Sequence, residues 1–231
     1  MNFVDYYRTN QVYGVESNDR MRRMLAVVLA KGARRVLDIG CGRGLFPAEL
    51  RRLGAEAYGV DVFEPDSVAA DGWFYTSGDI TRGLPYPDCG FDCVTLGEVI
   101  EHVPDPDELL RDIHRVLAPG GWLVLSTPNL VCWANRVLVP LGLQPLFTET
   151  SSRVTLGRRW RVLGQGSRAQ GHLKVFTHRS LAEILELHGF EVHERRGLPF
   201  AAFPWPARLM DAACAGCVPL ASILLYVARR P

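Results

Sequence analysis

Short apolar runs alternate with segments of helical periodicity through the first half of the chain. The runs are short, bounded by turn residues and rich in β-favouring side chains, which is typical of buried strands. They are Val36–Ile39, Ala57–Val60, Trp73–Thr76, Phe91–Leu96 and Trp122–Ser126. Apolar residues at helical spacing lie between them, most clearly over Pro106–Leu117. This alternation predicts an α/β fold built on a doubly wound parallel sheet.

Three glycines at alternate positions, Gly40, Gly42 and Gly44, separate the first predicted strand from a helical segment over Phe46–Leu53. Glycine lets a backbone approach a ligand closely and adopt positive φ. The unpaired N–H groups of the new helix face the same place. Asp38, at the end of the strand, could accept a hydrogen bond from the ligand. The segment is therefore a candidate ligand-binding turn.

The spacing of these glycines argues against a nicotinamide dinucleotide. The dinucleotide fingerprint G-x-G-x-x-G ends on a small residue that lets helix and strand pack closely. Leu45 stands at that position, and the third glycine comes one residue early. An acidic residue ahead of G-x-G-x-G resembles motif I of the class I S-adenosylmethionine-dependent methyltransferases. A turn with a purely structural role would use the same glycines.

The resemblance extends over residues 36–129, where further motifs occur in the family's order and spacing. They are Asp61, Gly78-Asp79, Glu98-Val-Ile-Glu-His102 and Leu117-Ala-Pro-Gly-Gly121. Asp61 lies about 20 residues beyond the glycines, where Rossmann-like folds place a carboxylate against ribose hydroxyls. The chain particularly resembles the branch that contains the ubiquinone-biosynthesis O-methyltransferases and many methyltransferases of small-molecule and glycan gene clusters.

The resemblance implies S-adenosylmethionine as cofactor and a Rossmann-like sheet of seven strands. In this family the sheet is mostly parallel with an antiparallel last strand, expected here over Ser222–Arg229, and helices cover both faces. The cofactor-binding positions carried over from the family are Asp38, Gly40, Gly42, Gly44, Asp61, Val62, Asp79, Ile80, Gly97 and Glu98.

The candidate catalytic residues are His102 and His172. His102 follows the fourth predicted strand, at the edge where open α/β sheets bind ligands. A hydroxyl acceptor must lose its proton, and histidine is the side chain that most readily titrates near neutral pH. The hypothesis is that His102 acts as general base. The alternative is that Glu101 and His102 only fix the loop by hydrogen bonds.

A divalent metal, with magnesium as the candidate, is left open. Glu-x-x-Glu-His with a distant histidine resembles the magnesium site of the small-RNA 2′-O-methyltransferases. The residues that would hold the ion are Glu98, Glu101, His102 and His172. Since many relatives with this motif are not known to depend on a metal, no metal site is assigned from sequence.

The 231 residues, 48% of them hydrophobic, suit one methyltransferase domain over residues 1–231. We expect an N-terminal helical cap over 1–31, a cofactor-binding core over 34–129, a substrate-lid insertion over 130–171 and the C-terminal part of the sheet over 172–231. Tyrosines in the cap could cover the cofactor, and arginines of the insertion could bind an anionic acceptor or form a solvated basic surface. They are Tyr6, Tyr7, Tyr13, Arg153, Arg158, Arg159, Arg161 and Arg168.

The formal net charge of +1 predicts no overall attraction to nucleic acid or to an anionic membrane, and DNA is not an expected partner. No secretory signal or transmembrane segment is apparent, and the uncharged run Ala212–Ala228 fits a helix end followed by a buried strand. Cys214 and Cys217 form a lone C-x-x-C that we interpret as structural. We expect a cytoplasmic protein with reduced cysteines, either a monomer or a homodimer.

These features together predict an enzyme that methylates an oxygen of a small molecule or of a glycan- or lipid-linked intermediate. The alternatives are a non-catalytic module that binds S-adenosylmethionine for a partner, methylation of nitrogen or carbon, and methylation of RNA. The acceptor itself cannot be read from the sequence, because the insertion that would select it has the weakest pattern in the chain.

Overall fold

A computed structural model describes residues 19–63, 72–157, 163 and 169–231. Its strands are β1 (Arg35–Ile39), β2 (Glu56–Asp61), β3 (Phe74–Ser77), β4 (Phe91–Gly97), β5 (Leu117–Pro128), β6 (Glu191–Leu198) and β7 (Ile223–Arg229). Its helices are α1 (Asp19–Ala30), α2 (Leu45–Arg52), α3 (Pro106–Val116), α4 (Trp133–Leu138), α5 (His178–Leu187) and α6 (Ala207–Cys214).

The seven strands form one sheet in the order β3-β2-β1-β4-β5-β7-β6. Strands β1 to β5 pair in parallel, and β7 runs antiparallel to both β5 and β6. Leu224, Leu225 and Tyr226 of β7 are fully buried, as expected for a strand between two neighbours. The predicted Rossmann-like sheet with an antiparallel last strand is confirmed.

Helices cover both faces of the sheet, as predicted. On one face, Leu110 of α3 and Leu181 of α5 pack into a core with β1 and β4. On the other face, Val28 of α1 and Leu50 of α2 pack into a second core. Burial of apolar side chains on both faces explains why the strands read as nearly continuous hydrophobic runs.

Several predicted boundaries are wrong. Strand β5 begins at Leu117 instead of Trp122, because the Pro119-Gly120-Gly121 segment is extended and is accommodated by a shift in register against β4. Strand β3 begins one residue later than predicted, at Phe74. The uncharged C-terminal run divides into α6 and β7 as predicted.

No helix within the described ranges is long and apolar enough to cross a membrane. All six cysteines lie in described segments and are free, including the exposed Cys217. The tyrosines at positions 6, 7 and 13 and the arginines at 158, 159, 161 and 168 lie outside the described residues. The division into cap, core, insertion and C-terminal part remains a prediction.

Candidate functional site

The glycine turn between β1 and α2 has the backbone conformation that its sequence predicts. Gly40, Gly42 and Gly44 have φ values of 70°, 52° and 78°, a region that side chains rarely tolerate. Space is restricted as well, since a Cβ atom on Gly44 would lie 2.1 Å from the Trp73 indole. Gly44 is also the N-cap residue that precedes α2. The N–H groups of all three glycines bind acceptors within the protein, so what the turn offers at the carboxyl edge of the sheet is a backbone without side chains that a ligand can approach closely.

Asp61, the last residue of β2, holds this turn in place. Its Oδ2 atom accepts a hydrogen bond from the Gly42 N–H at 2.8 Å, and Oδ1 accepts one from the Phe63 N–H at 3.2 Å. Burial raises the pKa of the carboxyl group, and these backbone hydrogen bonds oppose that rise. A carboxylate thus lies against the glycine turn, with Val62 half-buried beside it.

Asp38 is a buried carboxyl group near the end of β1. Its Oδ1 atom accepts a hydrogen bond of 2.6 Å from the Thr95 hydroxyl of the neighbouring strand β4. Burial raises its pKa to about 7, against the opposing effects of the Thr95 hydrogen bond and the Arg20 charge. Thr95 was not predicted as a site residue, because nothing local in the sequence connects it to Asp38.

An arginine of α1 completes this edge of the sheet. Arg20 donates from Nη1 to the Ser126 hydroxyl at 3.3 Å, and Ser126 donates to Oε1 of Glu98 at 3.0 Å. A Cβ atom on Gly97 would lie 2.5 Å from Arg20 Nη1, so the glycine makes room for the guanidinium group. Glu98 has a φ of 59°, unusual for a residue with a side chain, and such strain is common at functional sites. Sequence reasoning missed both Arg20 and Ser126.

Asp79 and Ile80 lie just beyond the end of β3. The Asp79 Oδ1 atom accepts hydrogen bonds from the Thr81 N–H at 3.0 Å and from the Thr81 hydroxyl at 2.6 Å, and so closes a single helical turn. Ile80 is half-buried and packs against the core. With the ends of β1, β2 and β4, the predicted cofactor positions all lie along one edge of the sheet.

Glu101, His102 and His172 form a second group, which we call the carboxylate–histidine cluster. One candidate ligand atom from each residue lies within 4.8 Å of the others, and the two imidazole rings are 4.8 Å apart between centroids. Nε2 of His102 is 3.9 Å from Oε1 of Glu101. The structure thus brings together both predicted catalytic histidines, although they are distant in the sequence.

Backbone carbonyl groups orient both imidazoles. Nδ1 of His102 lies 3.2 Å from the Gly171 carbonyl oxygen, and Nδ1 of His172 lies 2.7 Å from that of Phe147. A carbonyl only accepts, so Nδ1 of each ring carries a proton. Burial and the neighbouring His172 lower the pKa of His102 to about 3, which keeps this ring neutral. The expectation that His102 titrates near neutral pH is therefore wrong, and without a ligand the ring is a weaker base than a free histidine.

Glu101 is fully buried beneath the two histidines. Its Oε2 atom accepts a hydrogen bond of 3.0 Å from Thr127, while Oε1 has no hydrogen-bond donor among the described residues. Burial and the charge of Glu98 raise its pKa. A buried oxygen without a donor, close to two imidazole rings, fits the ligand set of a divalent cation. Glu98, the fourth predicted ligand, is outside this cluster, and its carboxylate binds Ser126 instead.

The segment after β5 supplies the contacts that fix the histidines. Phe147, whose carbonyl binds His172, packs with Cys132, Ala134 and Phe203 in a small core of its own. The Glu149 carboxylate accepts hydrogen bonds from the backbone N–H groups of residues 170 and 171, which precede His172. Part of the predicted insertion therefore borders the carboxylate–histidine cluster directly.

Comparisons with known proteins agree with this geometry. Residues 11–195 match a family model described as a methyltransferase domain. The chain is 36% identical over 107 residues to the ubiquinone biosynthesis O-methyltransferase of Pseudomonas aeruginosa, an alignment that covers 42% of this chain and 45% of that protein. It is 32% identical over 184 residues to the protein of the same name from Ruegeria pomeroyi, covering 77% of this chain and 68% of that one.

A similar solved structure is the 1,6-didemethyltoxoflavin-N1-methyltransferase of Burkholderia thailandensis, in complex with 1,6-didemethyltoxoflavin and S-adenosylhomocysteine. Its TM-score is 0.62 at 21% identity, over 98% of this chain and 84% of that one. This likeness concerns the fold. The chain spans about half the length of the first curated relatives it matches.

Sheet order, glycine turn and acidic strand ends together define a class I S-adenosylmethionine-dependent methyltransferase. The family match extends over most of the chain, and the chain belongs to the methyltransferase domain family.

Proposed function

We propose that this chain transfers the methyl group of S-adenosylmethionine to a hydroxyl group of a small-molecule or glycan- or lipid-linked acceptor. The observation that carries the proposal is the carboxylate–histidine cluster. Two of its residues, Glu101 and His102, come only a few positions after Gly97 of the cofactor edge. A base is needed when the accepting atom is a hydroxyl oxygen, and two imidazoles are present where β4 ends. The names of the Pseudomonas and Ruegeria relatives support an oxygen acceptor.

The cofactor would lie along the carboxyl edge of β1, β2 and β4. The backbone of the glycine turn would approach it closely, Asp61 would bind the ribose hydroxyls, and Asp79 with Ile80 would contact the adenine ring. We assign the Arg20 guanidinium to the carboxylate of the methionine moiety and the Asp38 carboxylate to its ammonium group, because each pair has opposite charges. The Burkholderia structure, which contains S-adenosylhomocysteine, supports the choice of cofactor.

Methyl transfer from the sulfonium requires mainly position and a dry site. The hydroxyl oxygen attacks the methyl carbon in line with the departing sulfur, the C–S bond breaks, and S-adenosylhomocysteine leaves. The hydroxyl proton passes to Nε2 of His102, which the Gly171 carbonyl keeps in the accepting tautomer. His172 would then orient the acceptor hydroxyl or receive the proton next.

The same three residues would hold a divalent cation such as magnesium. Bound there, a cation would lower the pKa of an acceptor hydroxyl coordinated to it. The ligands would be Oε1 of Glu101 and the two Nε2 atoms. This metal-assisted form is the alternative to proton transfer by imidazole alone, and the two forms differ in their response to a chelator.

The first experiment is isothermal titration with S-adenosylmethionine, S-adenosylhomocysteine and NAD. Micromolar binding of the first two and none of NAD is expected. Transfer of a radiolabelled methyl group to a panel of hydroxylated acceptors follows, with matched amine and RNA acceptors, and with EDTA or added magnesium. Loss of transfer to hydroxyls in His102→Ala with cofactor binding retained supports the proposal. Full turnover in that variant, or labelling of the amines or RNA alone, contradicts it.

A further inference from the structure

A buried asparagine of α4 binds both backbone groups of Leu146. Oδ1 of Asn135 accepts a hydrogen bond from the Leu146 N–H at 2.6 Å, and Nδ2 donates to the Leu146 carbonyl oxygen at 3.1 Å. Nδ2 also donates to the Leu130 carbonyl oxygen at 2.8 Å. Since Asn135 is only 2% exposed, these bonds are shielded from water, and the loss of a partner would be costly. The amide thus fixes the backbone of the residue directly before Phe147.

Phe147 has a backbone conformation that phenylalanine rarely adopts. Its φ is 68°, in the left-handed region that favours glycine. Glycine would not fill the site, because the Phe147 ring is buried in the small core, 5.1 Å from the Phe200 ring between centroids. Such a conformation persists where surrounding contacts hold it in place. Asn135 supplies one of them, because the Leu146 carbonyl and the Phe147 N–H belong to the same peptide plane.

The Phe147 carbonyl group is the acceptor that faces His172. Its oxygen lies 2.7 Å from Nδ1 of His172, 25 residues further along the chain. When the preceding peptide plane and the φ of Phe147 are fixed, the direction of this carbonyl depends on one further dihedral angle. The acceptor in turn determines which imidazole nitrogen carries the proton. Asn135 therefore acts on His172 through the backbone of Phe147.

The helix that carries Asn135 is itself anchored next to the sheet. Trp133, at the start of α4, donates its indole N–H to Oδ1 of Asp211 at 2.8 Å and its backbone N–H to the Leu220 carbonyl oxygen at 2.9 Å. Asp211 is fully buried and also accepts from the hydroxyl of Ser222, the residue directly before β7. The position of Asn135 is thus fixed relative to β7.

His102 is held by a similar arrangement. The Glu149 carboxylate accepts from the Gly171 N–H at 2.7 Å, and the Gly171 carbonyl oxygen lies 3.2 Å from Nδ1 of His102. At both histidines, a polar side chain of the segment after β5 binds the backbone at or beside the carbonyl that faces the imidazole. Because the arrangement occurs at both rings, it favours a role in orienting them over a role in stability alone.

We propose that Asn135 is a positioning residue, which fixes the orientation and the tautomer of His172 through the Phe147 carbonyl. The inference rests on the proposed function, in which His172 orients the acceptor hydroxyl or receives a proton. An imidazole that is already held in its working orientation needs no rearrangement during methyl transfer, and such preorganisation contributes to the rate. Asn135 itself does not touch the substrate in this proposal.

The first test reads the tautomer of His172 by NMR and needs no acceptor. The full chain is labelled with heavy nitrogen in its histidines, and the His172 signals are identified by their loss in His172→Gln. The wild type should carry a proton on Nδ1, and Asn135→Ala should lose it or show a mixture of both tautomers. A wild-type His172 without a proton on Nδ1, or an unchanged tautomer in Asn135→Ala, would overturn the proposal.

The second test measures turnover with the acceptor found by radiolabel transfer. Asn135→Ala should lower kcat about 10- to 100-fold and leave affinity for S-adenosylmethionine within about twofold, because a small misplacement of a reacting group slows the reaction this much. Asn135→Asp keeps the shape and an oxygen that accepts from Leu146 but loses the amide donor, so kcat should fall less, about three- to tenfold. Wild-type tautomer and turnover in Asn135→Asp would overturn the proposal even where the alanine variant does not fold.

Asn129→Ala is the matched control. Asn129 is also a buried asparagine, and its side chain binds the Val131 N–H at 3.1 Å and the Ala221 carbonyl oxygen at 2.8 Å. It fixes the turn that contains Leu130, which is the other partner of Asn135. The control should lower the unfolding temperature as Asn135→Ala does, with the tautomer unchanged and kcat within about twofold of the wild type.

The outcomes separate this proposal from the proposed function. Equal losses of kcat in Asn129→Ala and Asn135→Ala would overturn the positioning role, because general destabilisation would then explain both. A changed His172 tautomer with unchanged turnover would support the positioning of the ring by Asn135. It would contradict the part that the proposed function gives to His172.

Discussion

The cofactor edge and the carboxylate–histidine cluster differ in the elements that build them. At the cofactor edge the contacts join strand ends of the sheet to one another and to the glycine turn and α1, over separations from 19 residues for Asp61 and Gly42 to 106 for Arg20 and Ser126. In the cluster, His102 binds a carbonyl 69 residues distant. Glu101 binds Thr127 across 26 residues, and His172 binds Phe147 across 25.

This difference shows which part of the site the sheet alone determines. The parallel pairing of β1, β2 and β4 brings Asp38, Asp61 and Gly97 to one edge whatever follows them in the chain. The histidines meet only because the segment after β5 returns over that edge. Mutations on the two sides should therefore have separable effects, on cofactor affinity in one case and on turnover in the other.

The largest effect is expected from His102→Ala. Removal of a general base costs about 10²- to 10⁴-fold in rate, so we expect kcat to fall at least about 100-fold. Affinity for S-adenosylmethionine should stay within about twofold, because His102 is not part of the cofactor edge. Radiolabel transfer and isothermal titration measure the two quantities. His193→Ala, on the exposed side of β6, is the control and should change neither. Equal losses of affinity and turnover would show that the two sides are not separable.

Asp61→Ala should produce the converse result. The variant loses a carboxylate that accepts from Gly42 and that we assign to the ribose, and hydrogen bonds to charged groups contribute about 1.5–3 kcal/mol each. We expect affinity for S-adenosylmethionine to fall about 100-fold. Asp88→Ala removes an exposed carboxylate and should bind the cofactor like the wild type. Unchanged titration of Asp61→Ala would mean that the glycine turn does not hold this cofactor.

The same contrast explains how much the sequence could predict. The α/β fold class and the glycine turn followed from short-range patterns, namely apolar runs and alternate glycines, whereas the remaining cofactor positions came from the family resemblance. Arg20 and Thr95 were missed because their contacts cross 106 and 57 residues to Ser126 and Asp38, and no local pattern encodes such pairs. The family resemblance pointed to His172, whereas residue spacing alone did not. Pro-Gly-Gly ordinarily marks a turn and so predicts that β5 begins at Trp122, whereas the strand begins at Leu117.

Gly44→Ala tests the fit of the glycine turn itself. The substitution combines an unfavourable φ of 78° with a Cβ atom 2.1 Å from Trp73. We expect a loss of about 2–4 kcal/mol in the free energy of unfolding, from backbone strain and overpacking together. Gly54→Ala is the matched control, because its φ is 95° but no atom lies within 4 Å of the added Cβ.

The control should lose only about 1 kcal/mol in denaturant unfolding, the part due to backbone conformation. Equal losses in the two variants would show that Trp73 yields to the new methyl group. The turn would then be more adaptable than its packing suggests, and the third glycine would be required by φ alone.

The smallest effect is expected from Asp38→Asn, and it should depend on pH. Burial raises the pKa of Asp38 from 3.8 to about 7 in the folded protein, so the folded chain keeps a proton that the unfolded chain releases. This carboxyl group therefore favours folding below about pH 4, and its contribution is lost as pH rises to about 7. At pH 8 the folded wild type carries a buried charge that asparagine lacks.

Thermal and denaturant unfolding without cofactor should show the variant more stable than the wild type at pH 8, by about 1–2 kcal/mol, and little different at pH 5. Its affinity for S-adenosylmethionine should nevertheless fall, because the charge assigned to the ammonium group is gone. Asp92→Asn, whose carboxylate is exposed, should show no such crossover between the two pH values. A stability difference independent of pH would place the effect in the Thr95 hydrogen bond instead. If the Asp38→Asn variant is more stable at pH 8 but binds S-adenosylmethionine more weakly, the Asp38 charge destabilises the fold and serves to bind the cofactor.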